Sequence, residues 1–396
     1  MVSTASGAGP VHTAELTLGK SANPSAGVGT SAALSANGKV ALLGTLRRLI
    51  GGHVDPSAEV YTSNSGKWTG PVELSLGKLP PGSGGSSSYP VSVALSADGT
   101  TALVGDSYFG VTGAVIVFTF SHGAWRRSAT LTLGVSAAEG GSIGSSVALS
   151  ADGHTALLGA PNLQVAATRG AGEIFTFGKG RWQGPTELPF PRGHLGRSVA
   201  LSANGHVALL GAPCLTVVGR NCTGAGEVFT LKGTKWSVTA ELPGNTIHRG
   251  VSVALSGSGA TALIGGDLSQ SALVYTYSSG AWSRATALFA TGEGYFGGVT
   301  TALSLNSRGT VALVGSPSTQ FAGKSNGGVT DLYTLIAGKW THAAEMTLGN
   351  AATAQDGFGW STALSSSGSA AVIGVPNRKV GGVPYAGAGE AWSLPG

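Results

Sequence analysis

Charge is scarce in this chain. Of 396 residues, 18 are acidic and 23 basic, so a tenth carry charge and the net is +5. The basic excess is spread thinly, with no Lys/Arg block and no basic stripe interleaved with aromatics, which excludes the usual footprint of a nucleic-acid binder. Long apolar runs are missing too. None approaches the roughly 18 residues of a membrane-spanning helix, so membrane insertion is not expected. The first ten residues, MVSTASGAGP, carry neither the basic start nor the apolar stretch of a signal peptide. Only two cysteines occur, Cys214 and Cys222, both within APCLTVVGRNCTGAG. A pair so close in sequence reads as a disulfide that staples one loop, and it implies an oxidising compartment. No GxSxG elbow, HExxH helix or GxxxxGK[ST] phosphate loop stands in a suitable setting, so no catalytic residue is assigned.

What the chain does have is glycine, 66 of them, among Ser, Thr and Val. Such a mixture favours many short strands and tight turns over long helices. One unit recurs: SAALSANGKVALLG (31–44), SVALSADGTTALVG (92–105), SVALSADGHTALLG (146–159), SVALSANGHVALLG (198–211), SVALSGSGATALIG (252–265), TALSLNSRGTVALVG (301–315) and STALSSSGSAAVIG (361–374). Its ALS leucines are Leu34, Leu95, Leu149, Leu201, Leu255, Leu303 and Leu364, spaced about 55 residues apart on average, the scale of a propeller blade. Apolar alternation on both arms with Asn-Gly or Asp-Gly between them marks a hairpin. A second hairpin follows, as in GEIFTFGKGRWQGPTELP (172–189), where a tryptophan opens the fourth strand. Trp68, Trp125, Trp182, Trp236, Trp282 and Trp340 share that position, and an aromatic repeated in register is expected to pack blade against blade.

The seventh copy ends after its third strand, GEAWSLPG (389–396), while VHTAELTLG (11–19) matches the fourth-strand texts SATLTLG (128–134) and AAEMTLG (343–349). The expected fold is therefore all-β: a seven-bladed propeller of four-stranded antiparallel blades, closed by the N-terminal strand. Closure removes the exposed sheet edges an open array would have to protect. Residues 1–10 are expected to be a flexible segment. Residues 11–396 form one domain, with 11–19 as the outer strand of blade 7.

A hydrophobic residue and a glycine precede the first strands, most fully at Phe358-Gly359 and Phe296-Gly297. Gly-Ala-Pro follows the second strands at Gly159-Ala160-Pro161 and Gly211-Ala212-Pro213, with looser forms at Gly315-Ser316-Pro317 and Gly374-Val375-Pro376. This pattern resembles the FG-GAP repeat family, the blades of the integrin α-subunit propeller and of many bacterial surface proteins. The resemblance implies extracellular recognition of proteins or glycans. Family members often bind calcium through a DxDxDG loop; that loop is absent, Asp98 and Asp152 being lone turn residues, so no cofactor is expected.

A further pattern is not explained by turns. Glu59, Glu173, Glu227, Asp331 and Glu390 share one third-strand position, and Glu73, Glu187, Glu241, Glu345 and Glu15 one fourth-strand position. Blades 2 and 5 lack both acids, with Ile116 and Thr130, and Leu273 and Ala287, in their place; these blades carry Arg127 and Arg284 after the tryptophan and Asp106 and Asp267 after the second strand. Facing carboxylates repel by up to about 1 kcal/mol on a sheet. A cation, a hydrogen-bonded loop or a raised pKa must compensate. Two carboxylates are a poor cage for calcium, which takes 6–8 oxygens, so loop N–H groups and water are the expected partners. His12 and His342 read as structural, His154 and His206 as solvated turn residues.

The candidate ligand site gathers His194 and His248, each seven residues before an anchor leucine, with Arg192, Arg197, Arg249, Glu293, Tyr295, Tyr89 and Trp360. All lie where 4–1 crossings meet the channel mouth, a face shared with the 2–3 loops. The main reading is a secreted or cell-surface recognition or adhesion module binding a glycan or protein there. The alternatives are a propeller enzyme acting on a polysaccharide or small anionic substrate, and a structural subunit of a surface layer or filament.

Overall fold

The computed structural model describes residues 9–50, 53–77, 90–133, 141–165, 168–188, 195–213, 224–244, 249–266, 271–291, 302–321 and 323–395. They form seven four-stranded antiparallel sheets. Blades 1 to 6 span 31–75, 92–131, 146–188, 199–243, 249–289 and 302–346; blade 7 takes 361–393 and, as its outermost strand, Val11–Leu16. First strands of successive blades touch one another all the way round, blade 7 against blade 1 included, so they line the axis of a closed ring. Among the described residues there is no α-helix, only 3-10 turns at Gly19–Ser21 and Gly349–Ala351.

Closure has two components. Outside, Val11–Leu16 pairs with Ala388–Ser393, and Leu16 and Leu18 are buried in the apolar layer between blades 7 and 1. Inside, the 1–2 turns are linked by a circle of backbone hydrogen bonds. The N–H of Ala36 donates to Ala97 O, Ala97 to Ala151, Ala151 to Ala203, Ala203 to Gly257, Ser258 to Ser307, Ser307 to Ser366, and Ser366 back to Ala36, all at 2.8–3.1 Å. The ALS serines make this possible. In six blades the hydroxyl of Ser35, Ser96, Ser150, Ser202, Ser256 or Ser365 accepts the N–H that opens the second strand, at 2.8–3.0 Å, and fixes the turn. In blade 6 the Asn306 side chain does this instead. Its structural anchor is thus Leu305, which pairs with Ala312 as Leu34 pairs with Ala41. The ALS at Leu303 misplaces the register by two residues. Turn chemistry, not the ALS text, marks the equivalent position.

Seven apolar clusters fill the spaces between adjacent blades, and each contains one tryptophan. The six fourth-strand tryptophans pack as expected. In blade 7 Trp392 replaces them from the third strand. The hydrophobic-Gly motif also explains itself physically. Val28, Ile143, Leu195 and Phe358 are fully buried, and the N–H groups of Val28, Ile143 and Phe358 donate to the neighbouring 2–3 loops. At Gly196 (φ +88°) a Cβ would stand 2.3 Å from Ala171 O, so only glycine lets the crossing approach that closely.

Candidate functional site

The two ends of the ring differ. One carries the short, near-identical 1–2 turns joined in their circle. The other carries the 2–3 loops and 4–1 crossings, which vary from blade to blade; blade 1 adds a small hairpin, Arg48–Ile50 with His53–Asp55. Of the nine ligand-site candidates, three fall among the described residues. Arg197 is exposed just before the first strand of blade 4, and Trp360 is half-buried just before that of blade 7. Arg249 begins the first strand of blade 5, where only its backbone is described. Tyr89, Arg192, His194, His248, Glu293 and Tyr295 lie outside the described residues, as do Cys214 and Cys222. Trp360 N–H reaches Gly357 O and Gly374 O at 3.2 Å, which fixes its backbone just ahead of that strand.

The acid pairs are described in full. Glu59 faces Glu73, Glu173 faces Glu187, Glu227 faces Glu241, Asp331 faces Glu345, and Glu390 meets Glu15 through ring closure. Ile116 faces Thr130 and Leu273 faces Ala287 in the two blades without acids. Every third-strand acid is at most 2% exposed, so each needs compensation for lost water.

The blades compensate differently, and side chains do more than the expected N–H groups and water. In blade 1, Arg48 Nε donates to Glu59 Oε1 at 3.1 Å, Nη2 lies 3.8 Å from Glu73, and Nη1 donates to Ser21 O at 2.6 Å. In blade 7, Arg378 Nε donates to Glu15 at 2.5 Å, lies 3.4 Å from Glu390, and its Nη1 reaches Ala351 O at 3.4 Å. Each arginine stands four residues beyond the second-strand glycine, Gly44 or Gly374, and pins a 2–3 loop, an acid pair and the incoming 3-10 turn together. Histidines serve the third-strand acids from the outer strand: His12 Nε2 is 2.6 Å from Glu390, and His342 Nε2 is 2.7 Å from Asp331. In blade 6, Thr291 N–H donates to Asp331 at 3.1 Å, and its Oγ1 lies 2.6 Å from both Asp331 and Glu345. In blade 2, where Thr130 stands in place of the outer acid, Arg127 turns to that threonine at 2.8 Å, and Asp106 accepts the Tyr108 N–H.

Blade 3 has no such cation among the described residues. Four residues beyond its second-strand Gly159 stands Leu163, buried and apolar. Glu173 Oε2 has no hydrogen-bond partner among the described residues. Burial, then the Glu187 charge, pushes the Glu173 carboxyl up to about 8. Glu59 is also pushed up, to about 7, by burial, with Arg48 pulling against it. The Glu390 hydrogen bond raises the His12 imidazole above its ordinary value. All three expected remedies for a carboxylate pair are thus present in one ring, and blade 1 combines a cation with a raised pKa. Sequence reasoning found the acids but missed Arg48 and Arg378. Their fixed offset from the second-strand glycine was the available signal, present in only two blades.

No protein-family model matches the chain, so the FG-GAP likeness stays a resemblance of motifs. No curated protein matches either. Among solved structures, the fold is similar to that of the Pseudomonas aeruginosa periplasmic gluconolactonase PpgL, with a TM-score of 0.53 and 16% identity over 81% of this chain and 85% of that one. At that identity the likeness establishes the propeller fold and no more.

Proposed function

We propose that this propeller is a recognition protein acting outside the cytoplasm, which takes a glycan or protein ligand at the channel mouth on the face of the 2–3 loops and 4–1 crossings. One observation carries the reading. The opposite end is joined by a circle of backbone hydrogen bonds between near-identical turns, whereas this end carries loops that differ in every blade, the usual seat of binding residues on a rigid scaffold. Arg197, Arg249 and Trp360, with His194 and His248 from the adjoining crossings, are the residues assigned to it. The periplasmic source of the structural neighbour supports the location. A glycan array, read with calcium and with EDTA, tests the reading against His194→Ala/Arg249→Ala. A hit lost in that variant is expected; a protein whose every hit is unchanged in it removes the site.

A second reading is favoured by the neighbour itself, whose name is that of a lactonase. On that reading the same mouth hydrolyses a sugar-derived lactone, or acts on a polysaccharide or a small anionic substrate, with His194, His248, Arg249 and Tyr295 as the working groups. Proton release from glucono-δ-lactone above the spontaneous rate, lost in the same variant, distinguishes an enzyme from a receptor.

A further inference from the structure

The outer side of the ring carries a repeated feature that neither reading uses. Between blades 2 and 3 a cleft of about 770 Å³ opens near the 1–2 turn of blade 3, and between blades 4 and 5 a cleft of about 640 Å³ opens at the equivalent place. Much of their linings corresponds by position, while the first cleft adds Phe175 and His154 and the second adds Lys232. On one wall stand the hydroxyls of Thr119 and Ser128, or of Thr230 and Thr239. On the other stand Phe177 and Trp182, or Tyr277 and Trp282.

These aromatics come in cross-strand pairs, with ring centroids 5.7 Å apart for Phe177 and Trp182 and 5.5 Å for Tyr277 and Trp282. Each tryptophan lays one side on the inter-blade core, while Phe177 and Tyr277 remain 39% and 48% exposed. In the first cleft His154 stacks on Phe177 at 5.5 Å, adding a second polar-edged ring. The chain contains its own control. Between blades 7 and 1 the position of Phe177 is Ser63, Trp392 joins Trp68 in the space, and the cavity shrinks to about 150 Å³.

We infer that the clefts between blades 2 and 3 and between blades 4 and 5 are two equivalent binding sites for neutral saccharides. A sugar ring has an apolar C–H face and a rim of hydroxyls. An aromatic wall opposite Thr and Ser hydroxyls offers both complements, and both clefts fall in the roughly 300–1,000 Å³ range of ligand sites. Tyr and Trp suit such half-wet positions, being apolar in body and polar at one end. In the second cleft Lys232 and Glu241 stand with opposite signs, which argues against an ionic ligand there; the first carries one cation, Arg181, and its His154 lies 3.5 Å from Asp152.

The test uses the whole chain and six neutral trisaccharides: maltotriose, cellotriose, mannotriose, xylotriose, β-1,4-galactotriose and tri-N-acetylchitotriose. Equilibrium dialysis counts sites, and saturation-transfer NMR reads contact with aromatic protons. Two sites per chain are expected for at least one trisaccharide at millimolar concentration. Phe177→Ser and Tyr277→Ser each remove one site and together weaken binding at least tenfold. Serine is chosen because blade 1 already carries it at this position, and an unchanged melting temperature verifies the fold. Arg197→Ala/Trp360→Ala leaves both sites intact, which separates them from the mouth. No binding by any of the six, or binding unchanged in the double serine variant, overturns the inference.

Discussion

Replacing Glu173 by glutamine probes an acid pair that has no cation among its described neighbours. The native carboxyl is held at about 8 against an ordinary 4.5. Because the folded value lies above the unfolded one, the folded state favours the protonated form. Its contribution is therefore complete below pH 4.5 and is lost as pH rises to about 8. At about 1.4 kcal/mol per pH unit, the native protein should lose on the order of 4 kcal/mol between pH 5 and pH 9 through this residue. Glutamine keeps the shape and can still donate an N–H toward Glu187, but it does not ionise. With an unfolding entropy of about 2.1 cal/mol/K per residue over 396 residues, 4 kcal/mol corresponds to about 5 °C. The assay is thermal or urea unfolding of both proteins across that range. Curves that converge at pH 5 and separate by about 5 °C at pH 9 are expected. Glu59 and His12 titrate equally in both proteins and cancel. Parallel curves would refute the claim that burial of Glu173 near Glu187 drives the shift.

Arg48→Met leaves Glu59 and Glu73 without their shared cation and should cost about 3–5 kcal/mol in urea unfolding; adding Glu59→Gln should recover much of it, and no recovery would mean that the arginine acts by packing alone. Removing residues 1–18 deletes the outer strand of blade 7 with buried Leu16 and Leu18, each leucine worth roughly 1.5–3 kcal/mol, so melting should fall steeply; an unchanged transition would contradict closure. Gly196→Ala should destabilise by about 1–3 kcal/mol, because φ +88° and the Ala171 carbonyl both oppose a Cβ; a neutral result would show that the crossing moves freely. By NMR the His12 imidazole should titrate above 6.5, and Glu390→Gln should bring it down; a midpoint indifferent to that change would disprove the pairing.

Much of this molecule is local, and so was legible in the sequence. The hairpin turns, the recurrence of the unit and the split blade follow from alternation, Asn/Asp-Gly turns and matching strand texts, because hairpin geometry depends on neighbours in the chain. The acid pairs were legible for the same reason: residues equidistant from a tight turn must face each other. Tertiary structure decided what lies between distant segments. Whether a buried carboxylate meets Arg48, Thr291 or only the facing Glu187 depends on how a loop folds back, and residue spacing does not encode that. Asn306 shows the same limit within one blade, since a matching text gave way to the side chain that could cap the turn. The sequence by itself determined that the chain would close into seven blades, because each unit buries its apolar faces only against its neighbours. Only the assembled ring decided which polar groups are stranded in the spaces between them, because burial is a property of packing.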